Sequence, residues 1–229
     1  MNFNLIIPAA ADKKEYNNKM PFIFNLNNEG IMLCIKAILG LELDKFSSIY
    51  FTILKSHSEA YCLKEMFELQ FKRLKLNNAK VVIIEKKTNN QAETIYQTIQ
   101  QEHITEGSIY IKDADCYFES EVIAQNGITI YPLESLNMVN PQNKSYIAID
   151  DMYYVTNIIE KKIISHFFNA GGYCFEDVKE FCKYYLRLKD CSHLYLSHII
   201  FAMLLDKHIF RPLAVKHYID YEAEFSREK

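Results

Sequence analysis

Residues 80–111 read KVVIIEKKTNNQAETIYQTIQQEHITEGSIYI, and this stretch decides the fold class. It opens with a β-branched run at 80–84 and ends with an apolar run at 108–111, both typical of buried strands. Between the two runs lie apolar residues at the spacing of one helix face: Ala92, Ile95, Tyr96 and Ile99. A strand, a helix and a second strand in this order are typical of a parallel sheet with a crossover helix.

The same alternation extends towards the N-terminus. The runs Phe3–Pro8 and Ser48–Leu54 are apolar or β-branched and predict two more strands. Apolar residues within 30–39 and 60–74 recur at helical spacing and predict two more helices. We therefore expect an α/β fold with a Rossmann-like mixed sheet and helices on both faces. Ligands of such sheets bind at the carboxyl ends of the strands.

After residue 125 the pattern changes to short strand candidates with few helices between them. The predicted strands of this half cover residues 127–132, 145–149, 153–159, 172–175, 209–215 and 217–221. Two helices are predicted over residues 176–186 and 193–205. This half predicts a mixed or antiparallel extension that covers the mouth of the sheet. We expect one domain over residues 1–229, with lobes over 1–125 and 126–229.

Composition excludes several classes of protein. The 229 residues carry 26 basic and 29 acidic side chains, so no basic excess indicates nucleic-acid binding. No apolar run reaches the roughly 18 residues that span a bilayer. The N-terminal MNFNLIIPAA lacks the basic start of a signal peptide, and the six cysteines form no CxxC pair. We expect a cytoplasmic protein with no membrane span.

Two features of the first half could carry chemistry. Asp113-Ala114-Asp115 follows the fourth predicted strand, and carboxylates two residues apart can both approach a divalent cation. An acidic turn is the alternative interpretation. Lys19 lies in the loop after the first strand and can reach a bound phosphate as a point charge. A solvated loop lysine is the alternative there.

Three features of the second half could also carry chemistry, and each has a simpler structural interpretation. Lys161 and Lys162 end a strand-like run, and strand alternation is expected to send only one of them inward. Gly171-Gly172 could let backbone approach a ligand closely, although a tight turn is the simpler interpretation. Asp220 lies between aromatic and aliphatic neighbours, where a cap or a salt bridge is the simpler interpretation.

In chain order these pieces resemble the sugar-phosphate nucleotidyltransferases, the pyrophosphorylases that make nucleotide sugars. The resemblance runs from Leu5 to about Phe225 and rests on short motifs in the family's order. These motifs are LIIPAA (5–10), KMPFI (19–23), TNNQAET (88–94), IKDADCYF (111–118), IEK (159–161), NAGGYCF (169–175) and YIDY (218–221).

The resemblance implies a role for each motif, with nucleotide bound by lobe 1–125 and acceptor by lobe 126–229. The implied nucleotide-binding residues are Pro8, Ala9, Ala10, Ala11, Lys13, Lys14, Thr88, Gln91, Ala92 and Asp113. The implied acceptor-binding residues are Lys161, Lys162, Asn169, Gly171 and Gly172. The implied catalytic residues are Lys19, Asp115 and Lys161. Asp115 and Asp220 are expected to bind Mg²⁺.

The implied activity is transfer of a nucleotidyl group from an NTP, with CTP or UTP favoured, to a sugar phosphate or similar phosphorylated metabolite. Pyrophosphate would leave, and the product would supply surface-polysaccharide synthesis. Two alternatives stay open: a metal-dependent glycosyltransferase with a nucleotide-sugar donor, and a non-catalytic member of the fold. The resemblance also leaves a homo-oligomer open.

The phosphate loop departs from the family's AAGxGxR pattern. Ala11, Lys13 and Glu15 stand where the family has two glycines and an arginine. Fewer backbone N–H groups can therefore wrap a triphosphate. We expect triphosphate binding to depend on the charge of Lys13 and Lys14 and to weaken with salt.

Overall fold

The structure is a computed structural model that describes residues 2–11, 19–135 and 143–225. The strands in these ranges are β1 (Phe3–Pro8), β2 (Ser48–Leu54), β3 (Ala79–Ile84), β4 (Ser108–Lys112), β5 (Cys116–Glu119), β6 (Gly127–Pro132), β7 (Ser145–Ile149), β8 (Val155–Glu160), β9 (Phe167–Phe175), β10 (Arg211–Ala214) and β11 (Lys216–Asp220). The helices are α1 (Leu33–Lys36), α2 (Lys55–Tyr61), α3 (Leu63–Leu74), α4 (Gln91–Gln101), α5 (Val178–Leu188), α6 (Leu196–Leu205) and α7 (Tyr221–Phe225).

A nine-stranded mixed sheet organises the described part of the chain. Seven strands follow the order β10-β6-β9-β4-β1-β2-β3, and β7 pairs with both β9 and β8. Strand β1 pairs in parallel with β2 and β4, and β2 pairs in parallel with β3, as the alternation of the first half predicts. Strand β9 is antiparallel to β4 and β6 and joins the two halves of the chain.

Helices cover both faces of this sheet because the consecutive apolar side chains of its strand β1 point alternately to one face and to the other. Leu5 and Ile7 of β1 pack in one core together with Phe67 of α3. Ile6, between them, packs in a second core with Ile95 of α4. All of these side chains are fully buried. Since successive strand residues point to opposite faces, a continuous apolar strand needs cover on both sides. The predicted α/β fold is confirmed.

Two predicted helices are interrupted or shorter in the structure. The helix predicted over 60–74 is two helices, α2 and α3, because Cys62 adopts a left-handed conformation with φ of 52° between them. The helix predicted over 30–39 is confined to Leu33–Lys36. After it, the N–H groups of Ile38 and Leu39 bond to carbonyls three residues back, which is the pattern of turns.

Element boundaries in the second half also differ from the prediction. The strand predicted over 153–159 is β8, which starts at Val155 because Tyr153 has a left-handed φ of 62°. The helix predicted over 176–186 is α5, which starts at Val178 because the Asp177 side chain caps it by accepting from the Lys179 N–H. The helix predicted from 193 is α6, which starts at Leu196. None of the helices in the described ranges is long and apolar enough to cross a membrane.

Candidate active site

The acidic motif lies at the carboxyl end of β4, where the sequence places it. Strand β4 ends at Lys112, and Asp113-Ala114-Asp115 turns directly into β5. The Asp113 N–H donates to the Gly171 carbonyl of β9 across 2.8 Å, which ties the turn to the neighbouring strand. The motif is therefore fixed between two strands of the central sheet.

A strand that the sequence does not reveal brings the distant Asp220 to this turn. Strand β5 pairs antiparallel with β11, and this register sets Asp220 opposite Cys116. The Tyr221 N–H then donates to the Asp115 carbonyl across 3.0 Å. The two carboxylates predicted to bind metal consequently lie on hydrogen-bonded neighbouring segments. Strand β5 has only four residues, and its partner comes from the far end of the chain, so no local pattern announces it.

Lys112 is a buried cation beneath the acidic turn, and its side chain has no exposed surface. Its Nζ donates to the carbonyls of Asp113 and Cys116, each across 2.8 Å, and lies 3.1 Å from the Cys116 Sγ. The ammonium also lies 4.3 Å from the centre of the Phe118 ring. Lys112 thus holds both ends of the turn together. Sequence reasoning missed it, because a lysine that ends an apolar strand is typical of an exposed position.

Lys112→Met is expected to lower the free energy of unfolding by about 2 kcal/mol. The variant removes a buried cation together with the hydrogen bonds that it donates to two carbonyls, and each carbonyl left without a donor costs roughly 1–3 kcal/mol, while relief of the ammonium's desolvation offsets part of this. Urea unfolding followed by circular dichroism measures the change. The matched control is Lys80→Met, at a half-exposed strand lysine paired with Glu102, where a change under about 1 kcal/mol is expected. Equal losses in both variants would contradict the role of Lys112.

The two carboxylates of the acidic turn repel each other. Burial and the neighbouring charge of Asp115 raise the pKa of Asp113 to about 7, against the opposing effects of the Lys112 ammonium and a hydrogen bond from Gln91. That bond joins Gln91 Nε2 to Asp113 Oδ1 across 2.6 Å. Within the described ranges the Asp115 side chain accepts no hydrogen bond. A cation that binds at Asp115 would relieve this repulsion.

Asp220 has partners of its own. Its Oδ2 accepts from Lys144 Nζ at 2.8 Å, and its Oδ1 accepts from the Ala223 N–H at 3.1 Å. The structure therefore gives Asp220 both a salt bridge and a capping hydrogen bond. Sequence reasoning missed Lys144, which precedes β7 in a polar segment with no motif to mark it.

Gly171 and Gly172 lie inside β9, so the alternative interpretation of a tight turn at these residues is wrong. Gly171 has a φ of +93°, and its N–H donates to Asn169 Oδ1 across 2.9 Å. A Cβ at Gly171 would lie 2.8 Å from Asp113 Oδ2 and 2.9 Å from Cys116 Sγ. The glycine thus lets the backbone of β9 pack directly against the acidic turn.

The predicted acceptor lysines follow β8, and both are exposed. The expectation that one of them points inward is wrong, because Lys161 has a left-handed φ of 57° that ends the alternation of the strand. Its Nζ donates to the Tyr195 hydroxyl across 2.8 Å, and this hydrogen bond raises the pKa of Lys161. The Lys161 N–H donates to the Lys144 carbonyl across 3.0 Å, so the two lysines lie on adjacent segments.

The residues predicted to bind phosphate follow β1 and are described in part. Pro8 ends the strand, Ala9 and Ala10 are buried, and Ala11 is exposed. Lys19 is exposed as well. Lys13, Lys14 and Glu15 lie outside the described residues, so the salt dependence expected of this loop stays a prediction.

The predicted base-binding segment leads into α4. The Asn90 side chain caps this helix by accepting from the Glu93 N–H across 2.9 Å. The Thr88 hydroxyl lies 2.6 Å from the Thr94 hydroxyl, and Ala92 is buried. Gln91, at the first turn, reaches the acidic motif through Asp113. The segment after β3 and the segment after β4 therefore meet at one edge of the sheet.

A magnesium ion fits one part of this site better than the other. The described residues contain no group of three or more His, Cys, Asp or Glu side chains that could hold a metal ion. Mg²⁺, however, usually binds through one or two carboxylates, with substrate phosphates and water completing its shell. Asp115 lies beside Asp113, and its carboxylate accepts no hydrogen bond from the described residues, so it suits that mode. Asp220, with a donor at each oxygen, suits it less.

Comparisons with known proteins identify the fold. No protein-family model matches the chain, and no curated protein matches it. Among solved structures, the nucleoside-diphosphate-sugar pyrophosphorylase from Vibrio cholerae has a TM-score of 0.77 at 15% identity, and the alignment covers 98% of each chain. The inositol-1-phosphate CTP transferase from T. maritima has a TM-score of 0.70 at 13% identity, covering 96% of this chain and 89% of that chain.

A UDP-glucose pyrophosphorylase complexed with UDP-glucose has a TM-score of 0.71 at 11% identity over the full length of both chains. At these identities the likeness establishes the fold, and it extends across both halves of the chain. The mixed sheet with helices on both of its faces is that of the nucleotide-sugar pyrophosphorylase fold.

Proposed function

We propose that the protein transfers a nucleotidyl group from an NTP to a phosphorylated small molecule. The observation that carries this proposal is the meeting of Asp113, Asp115 and Asp220 at the carboxyl end of β4 in a pyrophosphorylase fold. In parallel sheets this edge is where ligands bind. Gln91, at the start of the neighbouring helix, joins the same cluster.

In the proposed reaction a phosphate oxygen of the acceptor attacks the α-phosphorus of the NTP. The new P–O bond forms as the bond between the α-phosphorus and the bridging oxygen to the β-phosphorus breaks, and pyrophosphate leaves. Such transfers depend on positioning and on neutralising phosphate charge more than on a protein nucleophile. The site matches this demand, since the Lys112 hydrogen bonds and the close approach of Gly171 hold its carboxylates on a rigid turn.

Each charged side chain around the turn would have its own role in the reaction. When bound, Mg²⁺ at Asp115 would neutralise charge on the phosphates of the NTP. Lys19, exposed after β1, would attract the pyrophosphate as it leaves. Lys161, which the Tyr195 hydroxyl orients, would hold the acceptor phosphate. Asp113, bound by Gln91, would fix the start of α4 against the turn.

The substrates are proposed from the similar structures. One of them is named as a CTP transferase acting on inositol 1-phosphate, and another is complexed with UDP-glucose. We favour CTP or UTP as the donor and a sugar phosphate as the acceptor. A product of that kind would serve as an activated precursor for surface polysaccharide.

A pyrophosphate-release assay tests the proposal. Each common NTP is combined with a panel of sugar and polyol phosphates in the presence of Mg²⁺. We expect one NTP and one acceptor class to give pyrophosphate only when both are present. Transfer from a nucleotide-sugar donor without an NTP would instead support the glycosyltransferase alternative. Absence of both activities, with no NTP binding in a thermal-shift screen, would support a non-catalytic role.

Lys161→Ala is expected to raise the KM for the phosphorylated acceptor about tenfold, with the KM for the NTP unchanged. The variant removes one charge-assisted contact, and tenfold corresponds to about 1.4 kcal/mol. Initial rates of pyrophosphate release with each substrate varied in turn measure the effect. Lys189→Ala, at an exposed lysine just after α5, is the matched control and should change neither constant. A raised KM for the NTP alone would mean that the two pockets are reversed.

A further inference from the structure

The Lys144 ammonium occupies a cation site that the chain itself builds. Its Nζ donates to Asp220 Oδ2 across 2.8 Å and to the Tyr218 hydroxyl across 2.7 Å. It also lies 5.4 Å from the centre of the Tyr218 ring and 5.8 Å from that of Phe168, distances at which aromatic faces attract a cation. The Lys144 side chain is 18% exposed and that of Asp220 is 14% exposed. A carboxylate, a phenol oxygen and two rings thus surround one ammonium group.

In this arrangement both carboxylate oxygens of Asp220 already have a hydrogen-bond donor. Its Oδ2 accepts from the ammonium, and its Oδ1 accepts from the Ala223 N–H at the start of α7. A divalent cation at Oδ2 would share this oxygen with an ammonium group that lies 2.8 Å from it, and two neighbouring positive charges repel each other in a partly buried site. Metal binding at Asp220 would therefore require the ion pair to open.

The electrostatic surroundings keep this ammonium charged. Burial lowers the pKa of Lys144, but the opposite charge of Asp220 and its hydrogen bond outweigh burial, and the pKa is raised. Asp115 acts in the same direction from the acidic turn. In return, Lys144 lowers the pKa of Asp113. Lys144 and the buried Lys112 are therefore both counter-ions of the carboxylate cluster.

We propose that Lys144 is a resident cation of the active site, which takes the place of a divalent cation at Asp220 and leaves metal binding to Asp115. Lys144 is a positioning residue in this scheme, because it acts by holding Asp220 and Tyr218 of β11. The proposal rests on the proposed function for the role of the site, while the competition between ammonium and metal for Asp220 can be measured without any nucleotide.

The test measures the affinity of the protein for Mn²⁺ alone, from the electron paramagnetic resonance signal of the free ion. Asp220→Asn is expected to change the Mn²⁺ affinity of the otherwise unaltered chain by less than about twofold. Lys144→Met keeps the length of the side chain without its charge and should tighten Mn²⁺ binding by about tenfold or more, because Oδ2 is freed. That gain should disappear in the Lys144→Met/Asp220→Asn double variant, which isolates the coupling between the two residues.

Lys144→Arg is the matched control, since it keeps the positive charge and should keep the weak Mn²⁺ binding of the unaltered chain. Circular dichroism verifies the fold of each variant, and Lys144→Gln replaces Lys144→Met if the latter does not fold. An unchanged Mn²⁺ affinity in the neutral variant would overturn the proposal. So would a tenfold loss from Asp220→Asn alone. Failure of the proposed transferase function would show separately, as absence of pyrophosphate release.

Discussion

Asp115→Asn is expected to lower kcat/KM for nucleotidyl transfer by about a hundredfold or more. Asp115 is the carboxylate of the turn that accepts no hydrogen bond within the described residues. It is therefore the group best placed to bind a cation that also binds the substrate phosphates. Loss of that charge weakens binding of the cation and so removes several kcal/mol of transition-state stabilisation. Each 1.4 kcal/mol is a factor of about ten in rate. Pyrophosphate release under saturating Mg²⁺ measures the change.

Two further variants serve as a control and as a comparison for this prediction. Asp44→Asn changes an exposed aspartate ahead of β2, at the opposite end of the strands, and should leave the rate unchanged. Asp113→Asn should cost less than Asp115→Asn, because an asparagine oxygen can still accept the hydrogen bond from Gln91. Small and equal effects of Asp113→Asn and Asp115→Asn would mean that the turn does not carry the reaction.

Gly171→Ala is expected to lower the free energy of unfolding by about 3 kcal/mol. A left-handed φ of +93° costs a residue with a Cβ roughly 1–2 kcal/mol, and forcing a methyl group into a packed site adds roughly 1–3 kcal/mol. The new methyl group would lie within 3 Å of both Asp113 Oδ2 and Cys116 Sγ, so the turn must shift. We therefore expect nucleotidyl transfer to fall as well, at temperatures where the variant is still folded.

Gly30→Ala separates backbone strain from the contact with the turn. Gly30 also has a left-handed φ, of +69°, but a Cβ there would meet only the end of the flexible Arg73 side chain, at 3.2 Å. This variant should lose about 1 kcal/mol and keep full activity. Urea unfolding and initial rates of pyrophosphate release, measured for Gly171→Ala and Gly30→Ala, test this difference. Equal losses of stability and activity at the two glycines would contradict the packing of Gly171 against the acidic turn.

The strands of the first half could be predicted because each carries its own signal. Ser48–Leu54 and its neighbours are mostly apolar or β-branched, as is typical of strands covered on both faces, and the helical spacing between them fixes the order of elements. The acidic turn could be placed for the same reason, since Asp113 comes only one residue after the apolar run 108–111. Local patterns were sufficient wherever a residue's role depended on its sequence neighbours.

The remaining parts of the site depend on contacts between distant residues. Lys112 ends a strand as an exposed lysine would, and only the carbonyls of the following turn make it a buried cation. Gly171 and its neighbour resemble a turn, and only the proximity of Asp113 explains their place in a strand. Lys144 has no motif, and its partner Asp220 comes from the last strand of the described chain. No periodicity within the sequence reports such pairs.

The most direct test of nucleotidyl transfer follows the phosphates of the NTP. The protein is incubated with the acceptor and with NTP labelled with ³²P at either the α- or the γ-phosphate, and the products are separated. The proposed reaction places the α-label in the sugar-linked product and the γ-label in pyrophosphate, in equal amounts. Release of the γ-label as inorganic phosphate, or an α-label that stays in free nucleotide while the acceptor is consumed, would contradict the proposed reaction.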